Sequence, residues 1–510
     1  MISLLEPAGG LYRQQLEELT EPDFFDDLNL QAYVDAVMAD EETKDLKPYF
    51  YLFPGNAETA EYRQSVSKEL CDPDIRTAVN HFITGITVAE RYLGFSEKTN
   101  GTQKWKWRLD TIVRYYDSIE EFCNALNDTP PKSQAFYSLH QSLSEFLNGV
   151  EAVSLRNQAR EINEEFEKMR FHLVIGRDRT VLDFNYCEDD YCNEIRSEFL
   201  KSETHSDAHS FTESPFGDML AAPLEEFIVE QFMKRDRVLF RNLETFCGIN
   251  REILSPEILN LVRELRFYLL NLDYLGKMKT RNYPIAFPKI SEDSELYLDD
   301  CYDIVLAEKN YEAKKEVVLN DIMKSAEETA IIVTGPNQGG KTTLARAFGQ
   351  CAYLGMMGFP VAANVARIPF FDRIFTQFAS MAGNTVEGRL EHELNCVKAI
   401  LDNLTGHSLV VFNELFTSAS TVDALSMSRD LMKRLIDGKA VCFVVTHTFE
   451  LSYDSDRYVS LVATVVEDGS FRRTYRLIRK PADGIAYANS IVGKYKLDYE
   501  HIRSRLNSRR

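Results

Sequence analysis

The apolar positions in the first third of the chain follow a helical period. From about residue 28 to residue 155 they recur at spacings of three and four, as in Ala78, Phe82, Ile83 and Ile86. This spacing places the apolar side chains on one face of a helix, where a neighbouring helix can bury them. The pattern predicts a series of packed helices over this region.

Residues that break helices punctuate this pattern. The breakers are Pro54-Gly55, Gly94 and Pro130-Pro131. Proline lacks the backbone donor of a helix interior and glycine is a poor helix former, so we expect helices to end at these points. A long polar helix is predicted from about residue 154 to residue 169.

A different pattern follows this helix. Residues 171–184 contain two short apolar segments, with a turn near residues 176–178, and predict a β-hairpin. Helical periodicity returns over residues 223–275, and residues 276–284 have the composition of a linker. Beyond the linker, strand-like and helix-like segments alternate, which predicts an α/β domain with a mainly parallel sheet.

The most informative motif lies in this last region. Residues 330–334 are an apolar segment, residues 335–342 read Gly-Pro-Asn-Gln-Gly-Gly-Lys-Thr, and a helical pattern follows from residue 343. The motif matches G-x-x-x-x-G-K-[ST] between a strand and a helix, which is the context of a phosphate-binding P-loop. Its glycines let backbone N–H groups turn toward phosphate oxygens. Lys341 is expected to reach the β- and γ-phosphates, and the Thr342 hydroxyl to ligate Mg²⁺.

Two later strand ends carry candidate hydrolytic residues. The apolar segment 409–412 ends at Asn413 and Glu414, and the segment 440–445 is followed closely by His447. In P-loop ATPases the first of two such residues usually holds the Mg²⁺ shell, and the second polarises the attacking water. Glu414 is therefore the expected general base. The neutral Asn413 is expected to hold the metal only through water, which predicts slow hydrolysis or nucleotide binding alone.

Together these motifs resemble the MutS family of DNA mismatch-repair ATPases. The stretch Thr334–Thr343 is similar to the MutS signature and differs mainly at Gln338, where MutS usually has Met. The other MutS-like landmarks, in chain order, are Asn320, Phe371–Thr376, Leu409–Glu414 and Thr446–Leu451. The likeness covers residues 275–505 well and is weaker upstream, at residues 61–64 and 264–273.

The resemblance implies that ATP and Mg²⁺ bind at a dimer interface. The ATP-binding residues that it implies are Asn320, Gly335, Pro336, Asn337, Gln338, Gly339, Gly340, Lys341, Thr342 and Thr343. Asn320 lies where MutS proteins hold the adenine, and Thr342 and Asn413 would hold Mg²⁺, the latter through water. Glu414 and His447 would be catalytic, with His447 as the switch histidine near the γ-phosphate.

In MutS proteins a signature loop reaches across the dimer to the γ-phosphate of the partner. Its counterpart by spacing is the segment 384–393, in which Gly388, Arg389 and Glu393 are the candidate contacts. Gly388 replaces the serine of the family, and its backbone N–H can still donate to phosphate. The alternative interpretation of this segment is the polar start of a helix with solvated acidic residues.

The resemblance also implies a fold class that is mostly α in the N-terminal part and α/β in the C-terminal part. It assigns residues 1–150 to a helical core and residues 151–275 to a helical lever or clamp with the small hairpin. Residues 276–510 would be an ABC-type, MutS-like P-loop ATPase domain with a C-terminal dimerisation segment. The chain has no Gly-x-Phe-Tyr-Glu-like context near its start. We therefore expect a short form without the mismatch-recognition and nuclease domains.

Charge limits the expected partners. The chain has 79 acidic and 58 basic residues and a formal net charge of −21. Such a chain is repelled by DNA phosphates unless a local basic surface overrides the net charge. The candidate residues for duplex contact, each also typical of a solvated surface, are Arg177, Arg179, Lys234, Arg235 and Arg237.

Two functions therefore stay open. One is a homodimeric ATPase coupled to duplex or branched DNA, in repair or recombination. The other is a nucleotide-gated scaffold for a protein partner, with weak or no hydrolysis. Both are expected in the cytoplasm without membrane attachment, because the nine cysteines are scattered and no apolar run approaches a membrane span. His205 and His209 have a zinc-compatible spacing, but solvated histidines are the more frequent outcome in so acidic a segment.

Overall fold

The structure is a computed structural model, and the residues that it describes are 3–7, 16, 18–39, 41–99, 101–169, 171–175, 180–183, 222–378, 386–466, 473–482 and 499–507. The chain divides into two compact units. The sheet unit contains residues 1–72, 132–136 and 263–510, and the helical unit contains residues 73–131 and 137–262.

The sheet unit begins with short helices. They are α1 (Phe24–Asp27), α2 (Leu30–Val37), a 3₁₀ helix (Glu41–Tyr51) and α3 (Ala57–Glu69). The helical unit then follows with long helices and one hairpin. Its elements are α4 (Pro73–Lys98), α5 (Gln103–Asp128), α6 (Gln134–Asn148), α7 (Val150–Glu167), β1 (His172–Ile175), β2 (Thr180–Asp183), α8 (Ala222–Arg235), α9 (Arg237–Ile249) and α10 (Pro256–Thr280). The first residues of α6 and the part of α10 from Arg263 onward belong to the sheet unit.

The predicted helical period is confirmed where α4 packs against α5. Phe82 and Ile86 of α4 are buried, and the Phe82 ring stacks on Phe122 of α5 with ring centroids 4.7 Å apart. The two helices approach so closely that a Cβ at Gly85 would lie 2.1 Å from the Ser118 hydroxyl oxygen. The two strands predicted within residues 171–184 are also confirmed, as the antiparallel pair β1 and β2, and the predicted turn near residues 176–178 lies outside the described residues.

Two predicted interruptions are wrong. Gly94 lies inside α4, which continues to Lys98, and the expected linker at residues 276–284 begins within α10, which continues to Thr280. An isolated glycine costs a helix only about 1 kcal/mol, which packing of the rest of the helix offsets. The proline-containing breakers at residues 54–55 and 130–131 do lie between helices.

The rest of the sheet unit alternates strands and helices. Its elements are β3 (Lys289–Ser291), β4 (Leu296–Cys301), α11 (Ile304–Glu312), β5 (Asn320–Lys324), β6 (Ala330–Thr334), α12 (Lys341–Met356), β7 (Val365–Pro369), β8 (Arg373–Phe378), α13 (Val386–Asp402), β9 (Ser408–Asn413), α14 (Thr421–Asp437), β10 (Val441–Val445), a 3₁₀ helix (Phe449–Tyr453), β11 (Tyr458–Val465), β12 (Arg473–Arg479) and α15 (Tyr499–Asn507).

Two sheets form from these strands. The larger has the order β12-β11-β6-β10-β9-β8, and its neighbours are parallel except for β12, which pairs antiparallel with β11. The smaller has the order β3-β7-β4-β5 and is mixed. The predicted α/β region with a mainly parallel sheet is therefore confirmed. Strand β6 lies inside the larger sheet, and the carboxyl ends of β6, β9 and β10 share one edge.

Helix α12 lies at the centre of the sheet unit. Almost every residue from Leu344 to Met356 is buried, because the helix packs on the large sheet and also against the N-terminal segment. The buried Gln350 amide donates to the Leu28 carbonyl at 2.9 Å. The Tyr353 hydroxyl donates to the Phe50 carbonyl at 2.7 Å. The first 72 residues thus complete the core around α12.

This packing explains why the compact units differ from the three-part order expected from sequence. That order placed residues 1–150, 151–275 and 276–510 in successive domains. In the structure, residues 1–72 belong to the same unit as residues 263–510. Contacts between segments so distant in sequence leave no local signal in the hydrophobic pattern.

Among the described residues, no helix is long and apolar enough to cross a membrane. None of the described cysteines forms a disulfide.

The C-terminal end of α12 depends on a close approach to Arg63. Gly358 has a φ of +86°, and a Cβ there would lie 2.6 Å from the Arg63 carbonyl carbon. The Arg63 side chain is fully buried. It donates to the Leu5 and Leu52 carbonyls at 2.8 and 2.6 Å and pairs with Glu6 at 2.8 Å. Arg63 therefore has little freedom to retreat from an added methyl group.

Substitution Gly358→Ala should lower the free energy of unfolding by about 3 kcal/mol, from the left-handed backbone and the overpacking together. The matched control is Gly276→Ala, at an exposed position of α10 with no heavy atom near the added Cβ. It should raise the stability by up to about 1 kcal/mol. Urea denaturation of the two variants checks the prediction, and equal unfolding midpoints would contradict it.

Candidate functional site

The loop between β6 and α12 has a backbone that only glycine tolerates at key points. Gly335 and Gly340 have φ values of +125° and +93°. A Cβ at Gly335 would lie 2.9 Å from the Ala463 Cβ, and one at Gly339 would lie 2.9 Å from the Pro336 carbonyl oxygen. The glycine spacing of the motif therefore has a steric cause in this structure, as the P-loop prediction requires.

Lys341 opens α12 and points back into this loop. Its side chain is only 4% exposed, and its ammonium donates to the Gly335 and Pro336 carbonyls, both at 3.0 Å. Burial lowers the pKa of Lys341, and the nearby Glu414 carboxylate opposes that shift. A buried ammonium held by neutral carbonyls gains from a nearby anion. The loop is thus suited to a phosphate group.

Thr342 joins the loop to the end of β9. Its hydroxyl donates to the Asn413 side-chain carbonyl at 3.1 Å. Strands β6 and β9 flank β10 in the parallel sheet, so the residues that follow β6 lie beside the end of β9. The two oxygens are hard ligands of the kind that Mg²⁺ accepts beside phosphate oxygens and water. Within the described part of the chain, no group of three or more His, Cys, Asp or Glu side chains is arranged to hold a metal.

Glu414 and His447 form a close pair. The His447 Nε2 lies 2.8 Å from the Glu414 Oε1. The hydrogen bond from His447 lowers the pKa of Glu414, against the opposing effect of partial burial. The Glu414 N–H donates to the Val445 carbonyl at 2.9 Å, which holds the end of β9 beside the end of β10. The sheet topology therefore brings together two residues that are 33 positions apart in the sequence.

A cavity of about 580 Å³ adjoins the loop. The residues predicted from sequence that line it are Asn320, Asn337, Gln338, Gly339, Gly340, Lys341, Thr342, Thr343 and Glu414. The other predicted residues contact this lining. The Gly335 and Pro336 carbonyls accept from Lys341, Asn413 accepts from Thr342, and His447 pairs with Glu414. The structure thus groups all of these predicted residues around one cavity.

Asn320 uses its side-chain amide within the protein. Its Oδ1 accepts from the Leu477 N–H at 2.7 Å, and its Nδ2 donates to the Tyr475 carbonyl at 3.1 Å. These bonds hold β12 at the cavity, where Tyr475 has a φ of +59° and joins the lining. Sequence reasoning missed Tyr475, and it also missed Tyr302 and Asn310 in the lining. No motif marks these three positions, because tertiary packing brings them to the loop: Tyr475 lies on β12, Asn310 on α11, and Tyr302 just before α11.

The three signature-loop candidates lie on the first turns of α13, and none of them lines the cavity of its own chain. Gly388 and Arg389 are partly exposed. Glu393 is 7% exposed, and its Oε2 accepts from the Phe416 N–H at 2.8 Å. Burial raises the pKa of Glu393. Glu393 is therefore turned into its own chain, unlike the solvated acid of the alternative interpretation, and Asn384 lies outside the described residues.

The candidate basic residues for DNA contact are only partly described. Lys234 and Arg235 end α8, and Arg237 begins α9. Acidic neighbours lie close to two of them, because Lys234 is 4.0 Å from Glu230 and Arg235 is 3.7 Å from Asp236. The remaining candidates, Arg177 and Arg179, and the pair His205 and His209 lie outside the described residues.

Comparison with known proteins shows a likeness to MutS proteins. Residues 331–492 match the model of MutS domain V. The chain is 23% identical over 451 residues to the DNA mismatch repair protein MutS of Fervidobacterium nodosum, covering 82% of this chain and 52% of that protein. It is 29% identical over 268 residues to MutS of Thermosipho melanesiensis, covering 52% and 32%. It is 27% identical over 220 residues to MutS of Streptococcus equi subsp. equi, covering 42% and 25%.

The chain thus spans about half the length of the Fervidobacterium relative, and less of the other two. The domain match contains the loop, both catalytic candidates and α13, and the alignment with relatives extends over most of the chain. On these grounds the chain is similar to MutS proteins, most clearly in domain V.

Proposed function

We propose that this protein binds ATP with Mg²⁺ at the β6–α12 loop and hydrolyses it slowly, with Glu414 as the general base. One observation carries the proposal. The ends of β6, β9 and β10 bring a buried lysine, a Thr342–Asn413 pair and a Glu414–His447 pair to one cavity. Phosphoryl transfer needs these elements together: a phosphate cradle, ligands for a metal, and a group that orients water.

The phosphates would bind where Lys341 now contacts the loop carbonyls. The backbone N–H groups of the loop and the start of α12 face the same anion, and the positive end of the helix dipole favours it. Mg²⁺, when bound, would neutralise phosphate charge, held by Thr342 directly and by Asn413 through water. The adenine base of ATP would lie in the cavity, beside the Tyr475 backbone that Asn320 holds.

Glu414 would act on the attacking water. A general base must be ionised and within reach of the proton that it accepts. The His447 bond keeps the carboxylate ionised, since it lowers the pKa of Glu414. In hydrolysis the water oxygen forms a bond to the γ-phosphorus while the bond to the ADP oxygen breaks, and Glu414 takes the proton of the water. His447 would hold Glu414 in place and lie near the γ-phosphate.

We further propose that two copies form a homodimer in which Gly388 and Arg389 of α13 approach the nucleotide of the partner. The dimer would couple ATP to DNA, because the relatives that match most of the chain are DNA mismatch repair proteins. The second candidate is a nucleotide-gated scaffold that binds a protein partner. The net charge of −21 and the neutral Asn413 favour that candidate.

ATP binding and turnover test the central proposal. Lys341→Ala should weaken binding of a fluorescent ATP analogue by about tenfold or more, because it removes a charged donor to phosphate. Glu414→Gln should leave binding intact and lower kcat by about 100-fold or more, as expected for loss of a general base. Unchanged turnover in Glu414→Gln would contradict its assignment, and binding without turnover in the wild-type protein would favour the scaffold.

Asn413→Asp tests the reason for slow turnover. A carboxylate at the end of β9 would add charge to the metal position and should lower the Mg²⁺ concentration needed for half-maximal turnover by about tenfold or more. Titration of Mg²⁺ at saturating ATP measures this change. The matched control is Asn413→Ala, which should raise the requirement. If all three proteins needed the same Mg²⁺ concentration, Asn413 would not be a metal-binding residue.

A gel shift with duplex and branched DNA separates the two candidate functions. DNA binding through several phosphate contacts should weaken by about tenfold or more between 50 and 200 mM salt. Reversal of charge at Lys234, Arg235 and Arg237 together should weaken the shift if this cluster makes the contacts. A protein that shows no salt-sensitive shift with either DNA, while still binding ATP, would be the scaffold instead.

A further inference from the structure

The short loop that carries Glu414 has an unfavourable backbone. Glu414 and Phe416 have φ values of +64° and +57°, and neither is glycine. Left-handed conformations are costly for residues with a Cβ, so they persist only where surrounding contacts hold them. The position of the proposed general base therefore depends on what holds the loop.

Among the contacts of this loop with its surroundings, three involve its backbone or its buried ring. The Glu414 N–H donates to Val445 at 2.9 Å. The Phe416 ring is 2% exposed and packs in the core beneath α14. The third contact comes from α13, where the Glu393 Oε2 accepts from the Phe416 N–H at 2.8 Å. A buried carboxylate that accepts from a backbone N–H makes a stronger hydrogen bond than a neutral group does.

We infer that Glu393 is a positioning residue, which holds the loop 414–416 so that Glu414 stays beside His447 and the phosphate site. This inference rests on the proposed ATPase function. Loss of the carboxylate would leave the Phe416 N–H buried without a partner, and the loop could relax from its left-handed conformation. Glu393 does not line the cavity, and Lys341 and Thr342 make the hydrogen bonds described above to the loop carbonyls and to Asn413. Glu393 thus acts on the chemical step and leaves nucleotide binding unchanged.

The role also links α13 to hydrolysis. Gly388 and Arg389, the residues proposed to approach the nucleotide of the partner, lie about one turn before Glu393 on the same helix. A shift of α13 caused by the nucleotide of one subunit would therefore reach Glu414 of the other subunit through one side chain. This gives the proposed dimer a direct route by which nucleotide binding in one subunit can set the rate in the other.

The test compares three variants in single-turnover hydrolysis and in ATP-analogue binding. Glu393→Ala should lower the rate of the chemical step by about tenfold or more, with the dissociation constant unchanged. Glu393→Gln keeps an oxygen acceptor and should retain the rate within about threefold. Asp402→Ala, an exposed carboxylate on the same helix, is the control and should match the wild type. Equal rates in Glu393→Ala and Asp402→Ala would overturn the inference, as would equal losses in Glu393→Ala and Glu393→Gln.

A second readout does not need turnover. In protein labelled at histidine, the imidazole signal of His447 is assigned by its absence in His447→Ala. Glu393→Ala should shift this signal, because Glu414 moves from its partner, whereas Glu393→Gln and Asp402→Ala should leave it in place. If the wild-type protein fails to hydrolyse ATP, the proposed function fails and this spectrum alone decides the role of Glu393. A His447 signal that is the same in Glu393→Ala as in the wild type would overturn that role.

Discussion

The burial of α12 on nearly all sides is the constraint on which the rest of the structure depends. The large sheet covers one side of the helix, and the N-terminal segment covers the other, where Leu28 lies so close to Gly349 that an added Cβ would be 2.4 Å from it. The polar side chain within this contact, Gln350, is buried and bonded to Leu28 and Asp303. Because the glycine-rich loop leads directly into this helix, the N-terminal segment and the sheet together fix the geometry of the proposed phosphate site.

The fold shifts the pKa values of Lys341 and Glu414 through two different surroundings. Lys341 is buried against neutral carbonyls, so its pKa falls and it gains from a bound anion. Glu414 has a histidine as its partner, so its pKa falls for the opposite reason and the carboxylate stays charged. The first arrangement favours binding of an anion, and the second keeps the Glu414 carboxylate ionised. Both follow from the shared edge of the parallel sheet.

The likeness to MutS proteins is uneven along the chain. The likeness is strongest in domain V, whereas the described basic residues of the helical unit have acidic neighbours. Asn413 stands where an acid would strengthen the proposed metal site. Glu393 stands within a segment that resembles a partner-contacting loop, yet it bonds to its own chain. The proposed ATP hydrolysis and DNA binding therefore have to be measured on this chain itself.

The sequence by itself determined the local features whose cause is local. Glycine spacing predicted the loop, helical period predicted the buried faces of α4, and apolar segments with polar ends predicted the positions of Asn413, Glu414 and His447. Only the tertiary structure decided which distant segments meet. It placed residues 1–72 around α12, brought β12 with Tyr475 to the cavity, and turned Glu393 toward Phe416. The physical reason is that strand order and burial depend on contacts between residues that are far apart in the sequence, from 23 positions for Glu393 and Phe416 to 322 for Gln350 and Leu28. A local hydrophobic pattern does not contain such contacts.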